Sequence, residues 1–288
     1  MVMTTTENER RRSPHSDGYV KVVSTASRPT SVRQGLAIRM EKLLWGGRAA
    51  TWDEEGSSQL APVIEAVLES CDPRPGMVAV DLGCGSGQVT LPLARCGSFV
   101  LAVDLSESAI ELLKKRAAEQ GLANVHALTQ PIEGFDLTPQ SVDLVVSNYA
   151  LHHLRDGDKA EVVRLSYDWL RPGGHLVIGD MMMGRGASPE DRAIILAKVR
   201  AFARRGPAGW WRIIKNGWRF ALRLQEKPLP AKTWEVIART AGFEQVSAVP
   251  VVAEAWVLSA RKPALRQDRS GRSASTNSAS VGQASAAL

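Results

Sequence analysis

Between residues 77 and 179 the chain alternates short, nearly continuous apolar runs with stretches of helical periodicity. The runs are Met77–Asp81, Phe99–Val103, Val125–Leu128, Val142–Ser147 and His175–Gly179, and two more follow at Phe243–Val249 and Ala255–Ala260. Apolar runs without polar alternation suit parallel strands that are covered on both faces. The segment after Asp104 carries a helix signature. Ser106 stands where a cap is needed, Ile110, Leu113 and Ala117 recur on one face, and Gly121 can close the helix. Strands and helices in alternation predict a doubly wound α/β sheet, with the ligand beyond the carboxyl ends of its strands.

The alternation does not reach the ends of the chain. Residues 1–33 and 263–288 hold few large apolar side chains, too few to offset the entropy of ordering, and are expected to be disordered tails. One domain is expected over 34–262, with a helical insert at about 186–230 between the fifth and sixth strands. The basic N-terminus lacks an apolar stretch behind it, so no signal peptide is expected. No run approaches the roughly 18 apolar residues of a membrane span. The three cysteines, Cys71, Cys84 and Cys96, are too scattered for a disulfide framework or a zinc site. A cytoplasmic protein without a metal is the expectation. The formal charge of +6 leaves anionic partners open, although part of it lies in the tails.

The first strand runs into V-D-L-G-C-G-S-G-Q, which sets Gly83, Gly85 and Gly87 at a G-x-G-x-G spacing. Glycine is needed where φ is positive or where a ligand must approach the backbone closely. A dinucleotide fingerprint would place its third glycine at position 88, which is Gln88. A smaller nucleoside without a pyrophosphate is therefore favoured. The second strand ends in Asp104, 17 residues after Gly87. An acid there is placed to accept from both hydroxyls of an adenosine ribose. The competing role for Asp104 is a helix N-terminal acid beside Ser106, favoured by the helix dipole.

Four segments in order are V-D-L-G-C-G-S-G, A-V-D-L-S, V-D-L-V-V-S-N-Y-A-L-H-H-L and L-R-P-G-G-H-L-V-I. Over roughly residues 45–262 they resemble the class I S-adenosylmethionine-dependent methyltransferases. The resemblance implies a Rossmann-like sheet of seven strands whose last strand inserts antiparallel. It implies that Asp81, Gly83, Cys84, Gly85 and Gly87 line the methionine part of S-adenosylmethionine. By the same likeness Asp104 holds the ribose, Leu105 packs on the adenine, and Ser147 and Asn148 lie near the sulfonium. The family usually places an acid after the third strand for the adenine amino group. Here L-T-Q-P-I-E puts Gln130 or Pro131 in that place, so the Gln130 carbonyl or the Ile132 amide would take over. Methyl transfer asks no thiolate of Cys84, whose sulfur is expected to be packing.

Methyl transfer needs alignment and exclusion of water, with a base only where the acceptor carries a proton. His152 and His153 are the candidate bases. Adjacent histidines point to different sides, so at most one can face the acceptor, and a helix-start or core role is the plainer reading. Tyr149 either lines the pocket or packs, and Asp180 at the end of the fifth strand points toward the site. His126 and His175 lie in strands and are expected to be structural. The segment S-N-Y-A lacks the Asn/Asp-Pro-Pro-aromatic pattern of enzymes acting on nucleic-acid amines or glutamine amides. Oxygen or carbon of a small aromatic or lipophilic acceptor remains.

Within the insert, Trp211, Ile214, Trp218 and Leu222 form one stripe of a helical wheel, beside Arg212, Lys215, Arg219 and Arg223. This basic amphipathic pattern reads as a lid over the acceptor pocket, with Trp211 and Trp218 on the substrate, or as a helix at an anionic membrane surface. No nucleic-acid module accompanies it. A second lid candidate carries Trp45, Trp52 and Asp53, with Trp52 toward the substrate. The rival functions are a cofactor-binding protein without turnover, membrane-associated or not, and a nicotinamide-dependent oxidoreductase, which Gln88 argues against.

Overall fold

The computed structural model describes residues 49–184, the single positions 192, 196 and 200, and residues 227–264, with side chains from Leu60 onward. The expected tails apart from residues 263 and 264, most of the expected insert, Trp45, Trp211 and Trp218 lie outside the described residues. Trp52 and Asp53 fall within the first described helix, but their side chains lie outside them.

The elements follow the expected alternation. Helix α1 spans Ala49–Cys71, followed by β1 (Val78–Leu82), α2 (Thr90–Arg95), β2 (Phe99–Asp104), α3 (Glu107–Glu119) and β3 (Val125–Thr129). Then come β4 (Val142–Asn148), a 3₁₀ turn (Leu151–His153), α4 (Asp156–Trp169) and β5 (Leu170–Met181). Helix α5 (Ala231–Thr240), β6 (Glu244–Pro250) and β7 (Ala255–Arg261) complete the described fold. The seven strands form one sheet in the order β3-β2-β1-β4-β5-β7-β6. Strands β1 to β5 run parallel, and β7 inserts antiparallel between β5 and β6.

Burial explains why the strands read as unbroken apolar runs. Val80, Leu82, Val145, Leu176 and Ile178 face a core that includes Phe135, Trp169 and Trp234. Ala79, Val100, Leu144, Val146 and Val177 face the other side, against Val63 and Val67 of α1 and Leu93 of α2. Each fully buried Val or Leu contributes about 1.5–3 kcal/mol relative to exposure. Helix α3 starts as read: the Ser106 hydroxyl accepts from the Ala109 amide at 3.3 Å, and Ile110, Leu113 and Ala117 are buried.

Strand β5 is longer than its apolar run. It begins at Leu170 and carries Arg171-Pro172-Gly173-Gly174 within it. The β4–β5 register shifts between Val142 and Leu144, whose partners are Leu170 and His175. A bulge absorbs the glycines there, so the turn residues deform the strand instead of ending it.

The strand order reverses between β1 and β4. Crossovers leave β1 toward β2 and β4 toward β5, and a crevice opens at their carboxyl ends. The candidate site is built at that point.

Candidate functional site

Strand β1 ends with Asp81 and Leu82, and the chain turns at Gly83. The Gly83 and Cys84 amides both donate to the Val103 carbonyl of β2, at 2.8 and 3.1 Å, which fastens the loop to the neighbouring strand. Gly83 and Gly85 take φ of +74° and +52°. The loop is also held by Asp104. One carboxylate oxygen accepts from the Gly85 amide at 2.9 Å, and the other from the Ser106 amide at 2.8 Å. Both competing roles of Asp104 thus coexist: it opens α3 and also braces the glycine loop. The Leu105 amide also bears on this carboxylate, which with about four lone-pair sites still has acceptor capacity for a ligand.

One cavity is lined by this loop and by residues from four other places in the chain. They include Leu60, Asp81, Gly83, Cys84, Gly85, Asp104, Leu105, Ile132, Glu133, Asn148, Tyr149, Ala150 and His153. Hence Asp81, Gly83, Cys84, Gly85, Asp104, Leu105, Ile132, Asn148, Tyr149 and His153 come together at one cavity.

Five expected residues stand off the cavity instead, the first being Gly87, where an added Cβ would meet Leu113 and Leu91. Ser147 is 1% exposed and donates to the Leu82 carbonyl at 2.7 Å, tying β4 to β1. Gln130 turns its amide to the Gly134 carbonyl at 3.3 Å, closing its own loop. His152 and Asp180 are buried together, with His152 Nδ1 2.6 Å from Asp180 Oδ1 and the His152 amide donating to Oδ2 at 2.9 Å. Of the histidine pair, His153 alone reaches the cavity, because Asp180 holds the His152 ring behind it.

Sequence reasoning missed Leu60, Ala150 and Glu133. The signal for Glu133 was present in L-T-Q-P-I-E, where the acid stands two residues past the proline. Leu60 and Ala150 are small or apolar wall residues with no pattern of their own.

Burial dominates the electrostatics. It raises the Asp81 carboxyl to about 7, against the opposing hydrogen bond from the Thr90 hydroxyl at 2.6 Å and with help from the Asp104 charge. Burial also raises Asp104 and Glu133. A cavity with three acids held above their ordinary range favours a cationic ligand, which would restore their ionised forms. Burial, with the charges of Asp81 and Asp104, pushes the Cys84 thiol up, so no thiolate forms there. The Tyr149 phenol is pushed up by burial and by Glu254 and Asp180, and stays protonated. Among the described residues no cluster of three or more His, Cys, Asp or Glu side chains is arranged to hold a metal ion, and no helix is long and apolar enough to cross a membrane.

Asn148 adds one polar group without a protein partner: its buried Oδ1 lacks a hydrogen bond among the described residues. Buried acceptors are normally satisfied, and this one belongs to a cavity-lining residue.

The family model described as a methyltransferase domain matches residues 79–174, the stretch from β1 into β5 that carries most of the cavity wall. An uncharacterised methyltransferase of Geobacillus sp. (strain WCH70) is 30% identical over 151 residues, 52% of this chain and 68% of that protein. A ubiquinone biosynthesis O-methyltransferase of Methylobacterium sp. (strain 4-46) is 36% identical over 142 residues, 44% of this chain and 56% of the relative. In fold, the chain is similar to the 1,6-didemethyltoxoflavin-N1-methyltransferase of Burkholderia thailandensis, solved with 1,6-didemethyltoxoflavin and S-adenosylhomocysteine. The TM-score is 0.57 at 18% identity, over 86% of this chain and 98% of that one.

Proposed function

Because this chain belongs to the class I S-adenosylmethionine-dependent methyltransferases, we propose that it methylates an oxygen or carbon of a small aromatic or lipophilic acceptor, with His153 taking the acceptor's proton. The observation that carries this reading is the cavity shared by the glycine loop and Asp104 with Asn148, Tyr149 and His153.

The residues present fit the cofactor. Asp104 keeps acceptor capacity for the ribose hydroxyls, Leu105 and Ile132 give apolar faces for the adenine, and Glu133 supplies an acid on that wall. Asp81 and Asn148 Oδ1 suit the cationic methionine end. When bound, S-adenosylmethionine supplies an activated methyl group, and the protein's contribution is alignment and dryness.

His153 is half-buried at the cavity, and imidazole accepts a proton near neutral pH. Tyr149, kept protonated, can donate to an acceptor oxygen but cannot serve as base. The apolar wall of Leu60, Ile132, Ala150 and Leu154 suits an aromatic or lipophilic body. The O-methyltransferase name of the Methylobacterium relative supports an oxygen acceptor.

The test uses the full chain, S-adenosylmethionine and a panel of phenols, catechols and enols, with release of S-adenosylhomocysteine as the readout. Turnover of a protic oxygen acceptor is expected, and His153→Gln should lower kcat about 100-fold or more while cofactor binding persists. Turnover unchanged in that variant would remove His153 as base. No turnover of any oxygen or carbon acceptor, with amines methylated instead, would overturn the acceptor class.

A further inference from the structure

The two polar rings on the cavity wall, Tyr149 and His153, have the ring of His152 between them. The His152 ring lies against His153 with centroids 4.0 Å apart and planes tilted by 46°, and it meets Tyr149 edge-on at 6.2 Å. It is 5% exposed and lies off the cavity, with its orientation fixed by Asp180, which is fully buried. Both carboxylate oxygens of Asp180 hold this turn. Oδ1 faces His152 Nδ1 and takes the Met181 amide at 2.7 Å, and Oδ2 takes the His152 amide. From the other side the Lys227 amide donates to the His152 carbonyl at 2.7 Å, and Lys227 Nζ to the His153 carbonyl at 2.9 Å. Tyr149 itself stands at φ +50°, a strained backbone for an aromatic residue, with its amide donating to the Gly179 carbonyl at 2.8 Å.

We propose that Asp180 and His152 are positioning residues: Asp180 locks the His152 ring as a wedge between Tyr149 and His153, and the wedge sets how those two rings face a bound acceptor. This rests on the reading of His153 as the base. A leucine would fill the same space, but an apolar filler fixes no rotamer or tautomer. A buried carboxylate–imidazole contact costs desolvation, and what it returns is one orientation of one ring. Two more elements bring charge to the turn. Lys159 of α4 lies near Asp180, held by Asp156 and the Lys227 carbonyl, and Glu254 between β6 and β7 faces Tyr149. Asp180 is nevertheless the group that grips the His152 ring.

The test needs no acceptor. The full chain, labelled with ¹⁵N-histidine and saturated with S-adenosylhomocysteine, is compared by NMR with Asp180→Asn and His152→Asn. In the parent, His152 should carry its proton on Nδ1. Asp180→Asn should lose that signature, and the His153 titration midpoint should move by about half a pH unit or more. His152→Asn keeps an N–H toward Asp180 and leaves that charge in place. A change in the χ1 couplings and ring NOEs of His153 and Tyr149 in this variant therefore reports their orientation and not the field, whereas a bare shift would follow from the lost ring current alone. Calorimetry should find S-adenosylhomocysteine affinity within about twofold of the parent in both variants. Should Asp180→Asn not fold, His152→Asn decides alone. Unchanged His153 and Tyr149 couplings and NOEs in a folded, ligand-binding His152→Asn protein would overturn the wedge. Failure of the parent itself to bind S-adenosylhomocysteine would count against the cofactor reading instead, and the same resonances in the free protein would still decide the wedge.

Discussion

At Gly83 an added Cβ would lie 2.2 Å from the Cβ of Ala150, whereas at Gly85 nothing in the protein comes within 4 Å of one. The two glycines are therefore required for different reasons. Gly83 lets the loop after β1 press against the loop after β4, and Gly85 leaves its outer side open to the cavity. Gly83→Ala should cost more than about 2 kcal/mol in urea unfolding, since overpacking adds to the strain of a positive φ. Gly85→Ala should cost only about 1 kcal/mol and yet weaken S-adenosylhomocysteine binding about tenfold or more by calorimetry. Equal losses of stability would mean that Gly85 also answers to packing. The spacing of the glycines was readable in the sequence, as was the match of Asp104 to them. The identity of Gly83's neighbour was not, because Ala150 is far along the chain and carries no chemical mark. The histidine pair could be read only as a pair. Which member faces the cavity depends on the 3₁₀ turn and on Asp180, and the i to i+28 contact that decides it leaves no local pattern.

Strand pairing turns a residue that looks ordinary in sequence into a pH-sensitive one. In the β5–β7 ladder His175 stands directly opposite Arg261, and its Nε2 lies 2.7 Å from the Ser259 hydroxyl. Burial, reinforced by the Arg261 charge, lowers its pKa from the ordinary 6.5 to about 4. The unfolded chain thus binds the proton more tightly than the folded one. Stability from this site is full above about pH 6.5 and is lost as the pH falls toward 4. His175→Gln retains a polar group for Ser259 and removes the titration. Between neutral pH and about pH 4.5 the parent should lose about 2 kcal/mol relative to the variant in chemical denaturation. Parallel loss in both proteins would place the acid sensitivity elsewhere. The sequence reading of His175 as structural holds at this level, but its cross-strand partner required the antiparallel insertion of β7 to be known. Strand β5 makes a similar point. Its apolar run marked only the central portion, because Arg171-Pro172-Gly173-Gly174 is turn chemistry that the ladder tolerates through a bulge.

For the molecule as a whole, the order β3-β2-β1-β4-β5-β7-β6 has one consequence that governs the rest: the reversal between β1 and β4 places the glycine loop opposite Asn148, Tyr149 and His153. Alternating apolar runs could announce the sheet and the side on which a ligand binds, since both follow from period and burial. They could not rank the groups around the crevice, where desolvation by the whole fold raises Asp81, Asp104 and Glu133 together. Such a cavity is internally unfavourable when empty of cations, and ligand binding should be coupled to the stability of the entire domain. A ligand present at about 100 times its Kd, bound only by the folded state, adds about 2.7 kcal/mol. For a domain of this size that corresponds to a rise of roughly 5–10 °C in Tm. S-adenosylhomocysteine should produce this rise and NADH should not, consistent with Gln88 where a dinucleotide loop has glycine. On the proposed reading, in which Asp104 accepts from the ribose, Asp104→Ala should fold but lose most of the rise, together with the brace on the Gly85 amide. Retention of the full shift in Asp104→Ala would show that the ribose is held by other groups. A shift with NADH alone would mean that the crevice accommodates a pyrophosphate after all.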